Sequence, residues 1–210
     1  MPREVHLYDS PERFVVGTVG QPGERTFFLQ ARTGPRITSV VLEKMQVAVL
    51  AERLDQILDE LVLRSGGTAP VPATAPADLD DTGPLEQPIV EEFRVGTLAL
   101  AWDADREMVI IEAQAVNPDE GEDEGEDEGE EEGEEEDEAD ETSGEGTGLL
   151  GDDEDGPPVL RVRISGARAR AFTKRALQVV SAGRPPCPFC GLPLDSQGHV
   201  CPRQNGYRGA

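Results

Sequence analysis

The sequence predicts an α+β fold. Two tandem strand-strand-strand-helix repeats form an antiparallel sheet packed on two helices, and a zinc-knuckle-like tail follows. Three observations carry this reading. The pentapeptide Phe14–Thr18, FVVGT, is echoed at Phe93–Thr97, FRVGT. Apolar residues recur at helical spacing once after each set of strand-like segments. All three cysteines of the 210-residue chain lie between Cys187 and Cys201.

The elements follow in order. RFVVGTVG (13–20) is rich in Val and ends in turn residues, and a turn then leads into a strand around Thr26–Ala31. RITSVVLEK reads as a third strand, separated from the second by the turn signal Thr33-Gly34-Pro35. Val47, Leu50, Leu54, Ile57, Leu58 and Leu61 then recur every three or four residues, with charged residues between them. That pattern is an amphipathic helix, stopped by Gly66-Gly67. Residues 65–88 are rich in Pro, Ala and Thr without periodicity and read as a flexible linker. VEEFRVGTLALAWD and REMVIIEAQAV read as a hairpin joined near Asp103–Asp105. PPVLRVRIS is a further strand. GARARAFTKRALQVVSAG is a second helix, with Ser165 its N-cap and Gly183 its stop.

The two halves align further. FFLQAR (27–32) falls on VIIEAQ (109–114), and residues 42–58 fall on residues 164–180. The spacing predicts an internal duplication within residues 1–182: a first repeat over 12–64, the linker over 65–88, and a second repeat over 89–182. The short turn of the first repeat corresponds in the second to an acidic insertion, residues 117–157. Closing a longer loop costs only a logarithmic increment of entropy. Its Gly-spaced, self-repelling sequence predicts disorder. Residues 183–210 form the metal-binding tail.

Charge is partitioned in the same way. The formal net charge is −24, from 43 acids and 19 Lys and Arg. Residues 119–155 hold 23 of those acids and no Lys or Arg, whereas residues 159–210 hold nine bases and a single acid, Asp195. The low overall pI therefore describes the insertion, and the last fifty residues are basic. No apolar run is long enough to span a membrane, and MPREVHLYDSPERF lacks a secretory pattern. A reducing cytoplasmic setting is expected, in which clustered thiols favour metal over disulfide.

Cys187, Cys190, His199 and Cys201 are spaced C-x2-C-x8-H-x-C. Thiolate and imidazole are the ligands a tetrahedral Zn²⁺ ion takes, and four protein ligands leave no position for water, so one structural zinc is expected. A redox Cys-x2-Cys pair is the competing reading, and no thioredoxin-like setting precedes it. Arg161, Arg163, Arg168, Arg170, Lys174 and Arg175 crowd one strand and the following helix, with Arg184, Arg203 and Arg208 around the tail. They are candidate anion-binding residues for a phosphate backbone. The alternative is that they are solvated or answer acids of the first half. His6 reads as an ordinary surface residue, Trp102 as a packing residue. Phosphate-loop, serine-hydrolase, zinc-protease and dinucleotide signatures are absent from the sequence, so no residue is assigned a catalytic role.

The F-x-V-G-T segment, the LEKMQVAVLAERLDQIL helix and the tail GRPPCPFCGLPLDSQGHVCPRQNGYR together resemble an actinobacterial family known as domain of unknown function 3090. The resemblance covers the chain apart from the Pro/Ala linker and the acidic tract, and it implies a cytosolic bacterial protein with no assigned reaction. At the level of architecture, duplicated sheet-plus-helix units are also similar to single-strand nucleic-acid binders built from tandem repeats. The expected function is a non-enzymatic, zinc-containing binding or adaptor module whose basic half meets nucleic acid, another polyanion or a protein partner. The alternative is an enzyme, or an enzyme subunit, acting on a phosphorylated small molecule.

Overall fold

The computed structural model describes residues 3–66, 68, 70–117, 150, 155–182, 187, 189, 190 and 201. Seven strands and two long helices follow in the order β1 (Val5–Asp9), β2 (Arg13–Val19), β3 (Thr26–Thr33), β4 (Arg36–Leu42), α1 (Lys44–Arg64), β5 (Glu91–Asp103), β6 (Met108–Ala115), β7 (Val159–Ser165) and α2 (Gly166–Ser181). The strands form one sheet in the order β1-β7-β6-β5-β4-β3-β2.

Local chemistry sets the boundaries. β3 and β4 are joined by Gly34-Pro35, with Gly34 at a φ of 54° that glycine adopts without a Cβ penalty. At the start of α1 the Glu43 amide donates to Gln46 Oε1 at 2.8 Å, satisfying one N-terminal donor. Val47, Leu50, Ala51, Leu54 and Leu58 are its buried stripe, as the periodicity predicts. Ile57 and Leu61 are only half-buried, at the edge of that stripe. Ser165 caps α2 by accepting from the Arg168 amide, as expected. β5 and β6 form the expected hairpin. Gly183, and residues 118–149 and 151–154 of the acidic insertion, lie outside the described residues.

The sheet is mixed, which corrects the expectation of an antiparallel sheet. β2-β3-β4 and β5-β6-β7 are each antiparallel, but β4 runs parallel to β5 and β1 runs parallel to β7. The two three-stranded sets lie in the sheet in the same sense, head to tail, so the last strand of one runs parallel to the first strand of the other. Parallel neighbours need a long crossover, and α1 with the segment after it provides one.

The main core combines both helices with one face of the sheet. It includes Val16, Leu29, Val40, Leu42, Leu50, Leu54, Val109, Ile111, Val162, Ala169 and Phe172. Phe14 and Phe172 stack with centroids 4.7 Å apart. β2, β3 and β4 are buried on their other face as well, where Val15, Phe28 and Val41 meet Leu85. That second layer accounts for the poor alternation of RFVVGTVG. A strand covered on both faces has no solvent side to keep polar.

Leu85 belongs to the connection between α1 and β5, whose stretch from Asp81 to Glu86 is held to the body by hydrogen bonds. Arg13 binds Asp81 through Nε at 2.6 Å and donates to the carbonyls of Gly83 and Pro84. Arg175 donates to Asp81 Oδ1 at 2.8 Å and to the Gly83 carbonyl at 2.8 Å. Gln30, buried in β3, accepts from the Glu86 amide at 2.8 Å and donates to the Glu86 carbonyl at 3.1 Å. Leu85 then fills the space that Gly17 leaves: a Cβ on Gly17 would lie 2.6 Å from Leu85 Cγ. Burying one such leucine stabilises the packed connection by about 2 kcal/mol.

Candidate metal centre

Cys187, Cys190 and Cys201 converge. Their sulfur atoms all lie within 4.8 Å of one another, and Cys187 and Cys201 Sγ are 3.9 Å apart. Two thiolates on a tetrahedral zinc, each about 2.3 Å from the ion, stand about 3.8 Å apart. A disulfide would need about 2.05 Å. The donor set therefore fits a thiolate-bound divalent ion, and the three cysteines are free thiols.

The surroundings favour the ligand form of the sulfur. Cys187 and Cys201 are buried and Cys190 is half-buried. Burial pushes the Cys187 thiol up. The amides of Cys190 and Phe189 and the neighbouring thiols of Cys190 and Cys201 outweigh it and hold the group below the usual thiol range. Phe189 N–H approaches Cys187 Sγ at 3.4 Å, the amide-to-sulfur contact of a tight turn across Cys-x2-Cys. His199, the expected fourth ligand, lies outside the described residues, as do Arg184, Arg203 and Arg208.

The six candidate anion-binding residues do not form one open basic face, because each has an acid or carbonyl partner within the protein, Lys174 with its partner at the exposed surface. Arg161 donates through Nε to Glu112 at 2.5 Å, with both side chains buried. Arg163 lies 3.8 Å from Asp9. Arg170, 6 % exposed, bridges Asp55 and Asp59 on α1. Lys174 binds Asp80 at 2.6 Å, Arg175 binds Asp81 and the Val16 carbonyl, and Arg168 donates to the Pro11 carbonyl. Burial pushes the Arg175 guanidinium down, Asp81 opposes that, and a guanidinium stays charged regardless. The acids that answer these bases lie in β1, β6, α1 and the connection, far away in sequence.

One grouping was not legible in the sequence. Glu4, His6 and Glu92 place their donor atoms within 4.8 Å of one another. His6, read as a surface residue, has a side chain only 13 % exposed, with Nε2 3.6 Å from Glu4 Oε1 and its ring tilted against Phe93. Glu4 and His6 are two residues apart on or beside one strand, which was the only available signal. Trp102 is partly buried against the main core, as expected of a packing residue. Among the described residues no helix is long and apolar enough to cross a membrane.

No curated protein and no solved structure matches the chain. A family model described as "Protein of unknown function (DUF3090)" matches residues 6–201, a span that runs from β1 through the last of the three clustered cysteines. The chain belongs to this family of proteins of unknown function.

Proposed function

We propose that the protein is a non-enzymatic binding or adaptor module whose carboxy-terminal segment is organised by one structural zinc ion, held by Cys187, Cys190, Cys201 and His199. The observation that carries the reading is the convergence of the three sulfur atoms within 4.8 Å. A fourth protein ligand would leave no coordination position for water, the arrangement of a structural rather than a catalytic site. The ion would supply the cross-link, and its binding energy would become folding energy for the segment.

The body that carries this centre is best understood as two tandem units, β2-β3-β4-α1 and β5-β6-β7-α2. Aligned residues support this reading. Gln30 and Glu112 fall on each other, and both are buried and paired across the hairpin, with Ser39 and with Arg161. Gln30 Nε2 donates to Ser39 at 2.9 Å, and Glu112 accepts from Arg161. Each also accepts the amide of a crossing segment, Glu86 at 2.8 Å and Leu150 at 2.9 Å. The FVVGT and FRVGT segments themselves do not fall at equivalent places: Gly17 pairs with Phe28, whereas Ile110, aligned with Phe28, pairs with Ala101 and Gly96 lies in a bulge five residues earlier.

With Arg161, Arg163, Arg170 and Arg175 buried against acids or carbonyls, a polyanion would have to displace internal partners to reach them. A protein or small-molecule partner is the better fit. The test pairs elemental analysis with an oligonucleotide titration. One zinc per chain, lost on chelation together with part of the thermal stability, is expected. Metal-free protein that melts identically with and without chelator defeats the zinc reading. Tight, steeply salt-dependent oligonucleotide binding would restore the polyanion reading.

A further inference from the structure

A cavity of about 500 Å³ opens between three parts of the fold. One wall is a stripe of α2: Arg168, Ala171, Phe172 and Arg175, related by steps of three and four residues (Arg168 to Ala171 and Phe172, both of these to Arg175) that place all four on one helix face. The second wall is the connection from Asp78 to Gly83, and the third is the run from Glu12 into β2. Small-molecule sites span roughly 300–1,000 Å³ and combine apolar walls with a few polar groups.

The charges lining this cavity almost cancel in pairs. Glu12 is taken by Arg32 at 2.6 Å, Asp80 by Lys174 at 2.6 Å, and Asp81 by Arg13 and Arg175. Two groups remain. Arg168 binds a backbone carbonyl, that of Pro11, and no carboxylate among the described residues. Asp78, exposed to solvent, lines the same cavity with no cation on it among the described residues. One guanidinium and one carboxylate are left to be answered by whatever enters. Beside them Phe172, Ala171 and Leu79 offer an apolar wall.

We infer that this cavity binds a zwitterionic small molecule with an apolar body, of the class of amino acids and short peptides, its carboxylate on Arg168 and its ammonium on Asp78. A phosphate ester is disfavoured there, because Arg168 is the one lining guanidinium not already on a carboxylate and the Asp78 carboxylate lines the same cavity, so a dianion would meet one cation and one like charge. The inference does not rest on the cysteine cluster.

The test is calorimetric titration of the full-length protein with L-tryptophan and with the dipeptide Trp-Gly. The two half-ligands tryptamine and indole-3-propionate are titrated in parallel. The expected result is binding of at least one zwitterion, with both half-ligands weaker by tenfold or more. Arg168→Gln and Asp78→Asn should each weaken the zwitterion at least tenfold. Ala171→Phe, which fills the cavity and leaves both charges in place, should abolish binding in protein that melts like the wild type. The inference is overturned if neither zwitterion binds at millimolar concentration. It is equally overturned if indole-3-propionate binds as well as the zwitterion and Asp78→Asn changes nothing, or if Ala171→Phe binds normally.

Discussion

Asp81 accepts a hydrogen bond from Arg175 at 2.8 Å and so joins the α1–β5 connection to α2, ninety-four residues further along the chain. The same carboxylate also holds Arg13 at 2.6 Å. The Arg13 hydrogen bond, with help from the Gly83 amide and the Arg175 charge, keeps the Asp81 carboxyl below the usual aspartate range. Its folded-state value is therefore lower than its unfolded one, near 3.9. The stabilisation is fully present above about pH 4 and is lost as pH falls through the folded value. Asp81→Asn should cost about 2 kcal/mol at neutral pH, reduced from a fully buried pair because the site is partly exposed. Urea unfolding from pH 7 to pH 2 should show the variant losing less stability than the wild type on the acid limb. Parallel acid limbs would show that Asp81 contributes nothing specific.

Among the described residues Glu112 and Arg161 form a deeply enclosed ion pair, with side chains 0 % and 7 % exposed. Removing one member strands the other charge inside the protein, at about 3–5 kcal/mol. Glu112→Leu should therefore lower the melting temperature by roughly 10 °C for a chain of this size. The double variant Glu112→Leu/Arg161→Met should recover most of the loss, because a well-packed apolar pair replaces a buried ionic one at little cost. A double variant no better than the single would mean that the pair has a further role, such as holding the Leu150 amide.

Glycines at two positions should respond differently. A Cβ on Gly96 would lie 2.9 Å from Val116 Cα, a backbone atom that cannot swing aside. Gly96→Ala should cost about 1–3 kcal/mol through overpacking. Gly34 has open space around it and only its φ of 54° to oppose a side chain. Gly34→Ala should cost about 1 kcal/mol. Chemical denaturation of the two variants checks the order, and equal losses would put the Gly96 contact in doubt.

Zinc stoichiometry should fall to a small fraction of one per chain in each of Cys187→Ser, Cys190→Ser and Cys201→Ser, measured after dialysis against a weak chelator. His199→Ala should weaken retention without abolishing it, since three thiolates remain. Full retention in Cys190→Ser, whose thiol is the most exposed of the three, would remove that residue from the ligand set.

Much of the architecture was legible because it is local. The α1 stripe, the β5–β6 hairpin and the Ser165 cap are each written within a few residues. The spacing of Cys187, Cys190 and Cys201 announced a cluster that the structure brings together. What escaped is nonlocal or inverted. In β1, Val5 and Leu7 face outward, 43 % and 42 % exposed, while His6 and Tyr8 turn inward. Tyr8 shares a hydrogen bond with Thr38 and carries Arg36 over its ring. Read by hydropathy, such a strand points the wrong way. The connection looked like a flexible linker because its Pro and Ala content is visible, whereas its anchors, Arg13, Gln30 and Arg175, lie in other elements. The basic stretch looked open because the sequence displays arginines and hides the acids opposite them.

The parallel pairing of Val5 with Val159 has a consequence for biosynthesis. A ribosome releases β1 about 150 residues before its ladder partner β7, so its backbone waits for that ladder through most of translation while Thr38 and Arg36 are already at hand for Tyr8. The set from β2 to α1 has its own hairpins and helix to close early. The seam between β1 and β7 can close only after β7 has emerged, which makes it a late pairing of the long-range kind that folds slowly.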